Sequence, residues 1–142
     1  MSNDLSFISV LLADDRPSDL EMATLVLKRI SPRIQIRCFS DGNSLLEYVR
    51  NERPDPTLLI LDQIMPGLSG VELAKELKSQ ELVHAPIYLL SGSELYLQKV
   101  LPEDLAILNG HYVKPLNFSD NLALFSRMCH EAIDQARLRA VS

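Results

Sequence analysis

The stretch Leu58-Leu59-Ile60-Leu61-Asp62-Gln63-Ile64-Met65-Pro66-Gly67-Leu68-Ser69-Gly70 decides the fold. It opens as an unbroken apolar run and stops on one carboxylate, Asp62. Four consecutive apolar residues suit a strand buried on both faces of a parallel sheet. Pro66, Gly67 and Gly70 then give the composition of a loop. Ser69 with Glu72 three residues later forms a capping box, so a helix begins there. The pattern places an acidic side chain at the carboxyl end of a central strand, where open α/β sheets carry their chemistry.

The same grammar recurs on either side. Upstream, Phe7 to Ala13 is an apolar, β-rich run that ends on Asp14-Asp15. Ser18 and Glu21 have capping-box spacing, and Leu20, Ala23, Thr24, Leu27 and Ile30 follow at helical intervals. Ile34, Ile36 and Cys38 alternate with Gln35 and Arg37, which predicts a half-exposed strand near a sheet edge. Asp41-Gly42 makes a turn, and Leu45, Leu46 and Val49 start a short helix. Downstream, Val71, Leu73, Ala74 and Leu77 carry a third helix. Ile87 to Leu90 forms a fourth strand ending at Ser91-Gly92-Ser93. Leu95 to Leu101 is helical in pattern until Pro102, which itself suits the first position of another short turn. His111 to Val113 is a short fifth strand ending at Lys114-Pro115. Asn117 or Ser119 caps a last helix whose buried side is Leu122, Phe125, Cys129, Ala132 and Ile133.

Five alternating β/α units imply a parallel sheet with helices on both faces, a doubly wound three-layer α/β sandwich. Strand order 2-1-3-4-5 places the first and third strands side by side. The 142 residues suit one domain spanning 1–142, with a core from about 7 to 135.

Composition excludes several classes. The net charge of −5 argues against a nucleic-acid partner, which needs a basic face for phosphates. No run reaches the ~20 apolar residues of a membrane span. The opening MSNDLSFISV lacks the basic and apolar regions of a signal peptide, so a cytoplasmic location is expected. The two cysteines, Cys38 and Cys129, are far apart, and two buried thiols in a reducing compartment are expected.

The strand ends bring chemistry together. With this order Asp14, Asp15 and Asp62 meet at one end of the sheet, and Ser91 and Lys114 point to the same end. Three close carboxylates repel one another and raise each other's cost of ionising. A hard divalent cation relieves that, and oxygen-only ligands with room for water favour Mg²⁺. A carboxylate beside Mg²⁺, a hydroxyl and an ammonium is equipped to attack phosphorus. Each element alone is common in turns and caps. The weight lies in five such residues at equivalent ends of four strands.

Those residues carry a resemblance. Asp14-Asp15 after the first strand, Ser40-Asp41-Gly42, the LDQIMPGLSGVEL segment around Asp62, Ser91-Gly92 and Lys114-Pro115 resemble the receiver domain of two-component response regulators, from about Val10 to Ile133. The resemblance implies a flavodoxin-like fold. It also implies that Asp62 is the phospho-acceptor for a sensor histidine kinase or a histidine phosphotransfer protein. Asp15 would bind Mg²⁺ directly and Asp14 through water, with Asp62 and the Ile64 backbone carbonyl completing the protein's share. Lys114 would pair with the phosphoryl group, Ser91 would take the switch position, and the Lys114–Pro115 bond would be cis. Ile64 and Ser93 stand where the family tunes phosphate lifetime, and an apolar Ile64 implies slow decay.

Two positions depart from the family. His111 stands where an aromatic switch residue is common, and strand alternation sends its neighbour Tyr112 to the other face. His111 either swings inward as a pH-sensitive substitute or is a surface residue. Pro102 breaks the region of the fourth helix, where partner surfaces lie. The resulting expectation is a stand-alone switch that signals by contact with a downstream protein or by forming a homodimer. Two alternatives remain: a Mg²⁺-dependent phosphohydrolase using an aspartyl phosphate, and a phosphorylation-inactive receiver kept as a binding module. The first lacks a second carboxylate two residues after Asp62, where Ile64 stands.

Overall fold

A computed structural model describes residues 5–141; Met1 to Asp4, the start of the opening segment that lacks signal-peptide character, lie outside the described residues. After a 3₁₀ turn at Leu5–Phe7, the strands are β1 (Ser9–Ala13), β2 (Gln35–Phe39), β3 (Leu58–Asp62), β4 (Ile87–Ser91) and β5 (Gly110–Val113). The helices are α1 (Pro17–Ile30), α2 (Gly42–Glu52), α3 (Gly70–Ser79), α4 (Glu94–Gln98), α5 (Pro102–Leu105) and α6 (Phe118–Ala140). All strands run parallel in the order β2-β1-β3-β4-β5. The doubly wound architecture and its strand order are therefore as the β/α alternation implies.

The central strands β3 and β4 are buried at every position. Alternate residues feed two cores. Leu59, Leu61, Ile87 and Leu89 pack with α2, α3 and Leu97 of α4. Leu58, Ile60, Tyr88 and Leu90 pack with Val26 and Leu27 of α1 and with Phe125, Met128 and Cys129 of α6. At about 25 cal/mol per Å² of apolar surface, each such Leu or Ile contributes roughly 1.5 to 3 kcal/mol. This two-sided burial locks the register and so fixes where Asp62 emerges.

The capping signals are only partly realised. The Ser69–Glu72 capping box forms in full, with each side chain bonded to the other residue's backbone N–H. Ser18–Glu21 does not cap α1. That helix starts one residue earlier, at Pro17, after Arg16, which makes no side-chain cap bond. Proline suits the first helical turn, where its missing N–H has no helical partner to lose. Asn117, rather than Ser119, caps α6 through Asp120 N–H. Cys38 is exposed on the edge strand β2, a correction to the expected pair of buried thiols, whereas Cys129 is buried. An edge strand has only one neighbour to cover it, so alternation alone did not secure its burial.

The helices after β4 are short, with Pro102 at the start of the second. α4 has five residues and α5 has four. Their small footprint leaves the outer positions of β5 uncovered, and His111 and Val113 are exposed.

Candidate functional site

The site lies at the carboxyl ends of β1, β3, β4 and β5. Asp14 directly follows β1, and its N–H donates to the Phe39 carbonyl at 3.0 Å, continuing the ladder. Its Oδ1 accepts the Arg16 N–H at 3.0 Å, which fixes the carboxylate at the mouth of the turn into α1. Asp15 turns outward and is exposed. Asp62 closes β3 and is only 6% exposed.

The loop after Asp62 is built around a close backbone approach. Gln63 N–H donates to the Leu90 carbonyl at 2.9 Å, and Gly70 N–H donates to the Gln63 carbonyl at 3.1 Å. The Gln63 side chain accepts Val71 N–H at 3.0 Å. A Cβ at Gly70 would collide with the Asp62 carbonyl and with Leu89, so only glycine lets α3 start here. Gly67 adopts a left-handed φ of 75°, which glycine takes without steric cost. The Ile64 side chain is exposed.

Asp14, Asp15 and Asp62 converge. One carboxylate oxygen from each lies within 4.8 Å of the others. Six-coordinate Mg²⁺ holds oxygens at roughly 2.0 to 2.1 Å, which puts its ligands about 3 to 4 Å apart. The three oxygens need only a small contraction to meet that geometry. The donors are all hard oxygens and Asp15 opens to solvent, so the residues fit a hydrated divalent cation.

Lys114, just past β5, joins the cluster. Its Nζ lies 2.7 Å from Asp14 Oδ2, 2.7 Å from Asp19 Oδ2 and 3.4 Å from Asp62 Oδ1. Burial acts to lower the pKa of this ammonium, but hydrogen bonds to Asp14 and Asp19 outweigh it and hold the pKa above the ordinary lysine value. Asp62 shifts strongly. Burial, reinforced by the Asp14 charge, raises its carboxyl from 3.8 to about 7 against the pull of Lys114. A cavity of about 400 Å³ opens over these groups and runs between α1 and α6.

The remaining predicted residues fall as follows. Ser91 is fully buried, and its hydroxyl donates to the Ser93 carbonyl at 3.0 Å. Its own carbonyl accepts the Lys114 N–H at 2.7 Å, which ties the ends of β4 and β5 together. Ser93 caps α4 by accepting Leu95 N–H. Tyr112 stacks on Tyr88 toward the α6 side, so His111 faces the opposite side, as alternation requires.

The Lys114–Pro115 bond is trans, a correction to the expected cis isomer. Both polar ends of the dipeptide are already satisfied: Lys114 N–H bonds to Ser91, and the Pro115 carbonyl accepts the Asn121 side chain at 3.1 Å. Trans is also the intrinsically preferred isomer of an X–Pro bond, by about 0.5 to 1 kcal/mol.

Asp19 was missed. An acidic residue in a first helical turn ordinarily does no more than complement the helix dipole. Its placement four residues after Asp15, on the first turn of α1, was the available signal.

The match to known proteins decides the family. Residues 10–122 match the family model of the response regulator receiver domain. The chain belongs to that family. It is 31% identical over 108 residues to the alkaline phosphatase synthesis transcriptional regulatory protein PhoP of Bacillus subtilis, covering 76% of this chain and 42% of PhoP. It is 30% identical over 122 residues to the two-component response regulator ORR11 of Oryza sativa subsp. japonica, covering 84% of this chain and 79% of that protein. This receiver thus spans less than half of PhoP and most of ORR11. Among solved structures, a response regulator in red light signaling of R. palustris superposes with a TM-score of 0.71 at 29% identity, covering 87% of this chain and 92% of that one. A receiver domain protein from Clostridium thermocellum gives a TM-score of 0.76 at 20% identity, covering 93% and 98%, a likeness of fold. Among the described residues of this receiver, no helix is long and apolar enough to cross a membrane.

Proposed function

We propose that this receiver is a phosphorylation-dependent switch in which Asp62 accepts a phosphoryl group from a phosphohistidine. The donor would be a sensor histidine kinase or a histidine phosphotransfer protein. The observation that carries the reading is the convergence of a buried carboxylate, two further acidic residues and one ammonium: Asp14, Asp15 and Asp62 oxygens within 4.8 Å, and Lys114 at 3.4 Å from Asp62.

Mg²⁺ would be held by Asp14, Asp15, Asp62 and the Ile64 carbonyl, and when bound it supplies charge neutralisation for the phosphoryl oxygens. The ionised Asp62 carboxylate is the nucleophile. Its oxygen forms the new bond to phosphorus as the P–N bond of the donor breaks, and the leaving imidazole keeps the bonding electrons and takes a proton. A carboxyl with a pKa near 7 is a poor nucleophile when protonated, so nearby positive charge has a second use in keeping it ionised. The Lys114 ammonium stabilises developing charge on the phosphoryl oxygens, and the Ser91 hydroxyl turns from Ser93 to donate to one of them.

The signal would leave by contact with a downstream protein or by formation of a homodimer. Turning Ser91 releases its bonds to Ser93, which caps α4, so the α4 end feels the change first. His111, exposed on the same side of β5, is a candidate secondary switch. Slow autodephosphorylation, not multiple turnover, is the chemistry expected of this site, with Ile64 and Ser93 setting its pace.

The test is intact-mass analysis after incubation with acetyl phosphate, with and without Mg²⁺. One Mg²⁺-dependent, hydroxylamine-labile phosphoryl group per chain supports the reading. Sustained turnover of a phosphate ester at ordinary enzyme rates would point to a phosphohydrolase instead.

A further inference from the structure

Asp19 has no assigned part in the acceptor site, yet it makes one of the shortest contacts there. Its Oδ2 lies 2.7 Å from Lys114 Nζ, equal to the distance from Asp14. An ammonium has three donors. Two are committed to Asp14 and Asp19 at the length of strong charge-assisted bonds. Asp62 Oδ1, at 3.4 Å, lies beyond that length. The resting ammonium is therefore held more tightly by carboxylates of the β1–α1 side than by Asp62.

The two holders differ in how easily they let go. The Asp14 side chain is 11% exposed and, among the described residues, pairs with Lys114 alone. The Asp19 side chain is 32% exposed and has Arg16 Nε at 3.8 Å. Asp19 can lose Lys114 and still be solvated and paired, so releasing it strands no charge. A phosphoryl group on Asp62 adds negative charge on the far side of Lys114 and competes directly for the ammonium.

We infer that Asp19 is a positioning residue that parks Lys114 on the β1–α1 side, its shorter bonds going to Asp14 and Asp19 and not to Asp62, and exchanges it with the phosphoryl group. In the resting site Lys114 spans Asp14 and Asp19. In the phosphorylated site the Lys114–Asp19 bond is traded for one to a phosphoryl oxygen, and Arg16 keeps Asp19. The parked state thus lowers the affinity of the site for a phosphoryl group and sets a threshold for activation. This rests on Asp62 being the acceptor.

The experiment measures beryllofluoride binding by calorimetry at saturating Mg²⁺ in the full chain, for wild type, Asp19→Asn and Asp19→Glu. The Lys114 ammonium resonance is followed by ¹H–¹⁵N NMR in the same samples. Asp19→Asn should bind about fivefold more tightly, the scale of one partly exposed ion pair. It should also shift or broaden the Lys114 resonance before any ligand is added, and Asp19→Glu should restore both. Unchanged or weaker binding by Asp19→Asn overturns the inference while leaving the acceptor reading intact. Tighter binding with an unmoved Lys114 resonance also overturns it, because simple repulsion by Asp19 would then be the cause. Failure of the wild type to bind beryllofluoride at all removes the acceptor reading and this inference together.

Discussion

The Lys114 ammonium lies 3.4 Å from the Asp62 carboxylate although the two residues are 52 positions apart and arrive from different strands. That approach is set by the parallel sheet. The Lys114 N–H is anchored to the Ser91 carbonyl, and Asp62 pairs with Leu90 in the β3–β4 register, so neither side chain is placed by a flexible loop.

Removing the cation should therefore be costly. Lys114→Ala leaves Asp14 and Asp62 as buried carboxylates without the ammonium they share. Breaking a buried pair from one side destabilises by about 3 to 5 kcal/mol, and the partial exposure of this site brings the expected loss to roughly 2 to 4 kcal/mol. Urea unfolding at neutral pH without divalent cations measures it, and Mg²⁺ should restore part of the loss.

The raised pKa of Asp62 gives a pH dependence whose sign is fixed. The carboxyl titrates near 3.8 when unfolded and near 7 when folded, so between these values the folded chain binds the extra proton. The stability contributed by protonated Asp62 is complete below about pH 4 and is lost as pH rises to about 7. Asp62→Asn should remove this dependence and stabilise the metal-free protein at pH 8, on the order of 2 to 4 kcal/mol. Unfolding curves at pH 5 and pH 8 for both proteins, in chelator, test it. A wild type that gains stability from Asp62 as pH rises would contradict the assignment.

Gly70 should tolerate no side chain. Gly70→Ala drives a Cβ into the Asp62 carbonyl and Leu89. A loss of about 1 to 3 kcal/mol is expected from the overpacking, together with weaker Mg²⁺ binding as the Asp62–Ile64 segment shifts. Gly92→Ala meets no atom within 4 Å and should change stability little, which makes it the control.

Ile64 presents an exposed apolar side chain two residues after Asp62. A polar group there would position water for attack on the phosphoryl group. Ile64→Asn should shorten the phosphate lifetime, followed by loss of acid-stable label after the phosphodonor is removed. An unchanged lifetime would show that water access is set elsewhere.

The parts of this protein that were legible in its sequence are those fixed by short-range pattern. The run Leu58–Leu61 stands for a strand buried on both faces, and three such runs together with the short β5, each ending in polar residues, are enough to place Asp14, Asp15, Asp62, Ser91 and Lys114 at one end of the sheet. The Ser69–Glu72 capping box is equally local and forms as read. What stayed hidden depends on three-dimensional competition. Asp19 and Asp14 share Lys114 only because α1 leads back across the site. The isomer at Lys114–Pro115, which is trans, is one that no dipeptide signal carries. The exposure of Cys38 and His111 reflects how little covers the two edge strands, a property of the neighbours and not of the strands themselves.

The central claim is that one side chain, Asp62, receives the phosphoryl group. The most direct measurement is peptide mapping by mass spectrometry after acetyl phosphate and Mg²⁺ treatment, with borohydride reduction to mark the acyl phosphate. Modification at Asp62 in the wild type, and its loss in Asp62→Asn, is the predicted result. An unmodified wild type, or a modification that Asp62→Asn retains at equal yield, would contradict it.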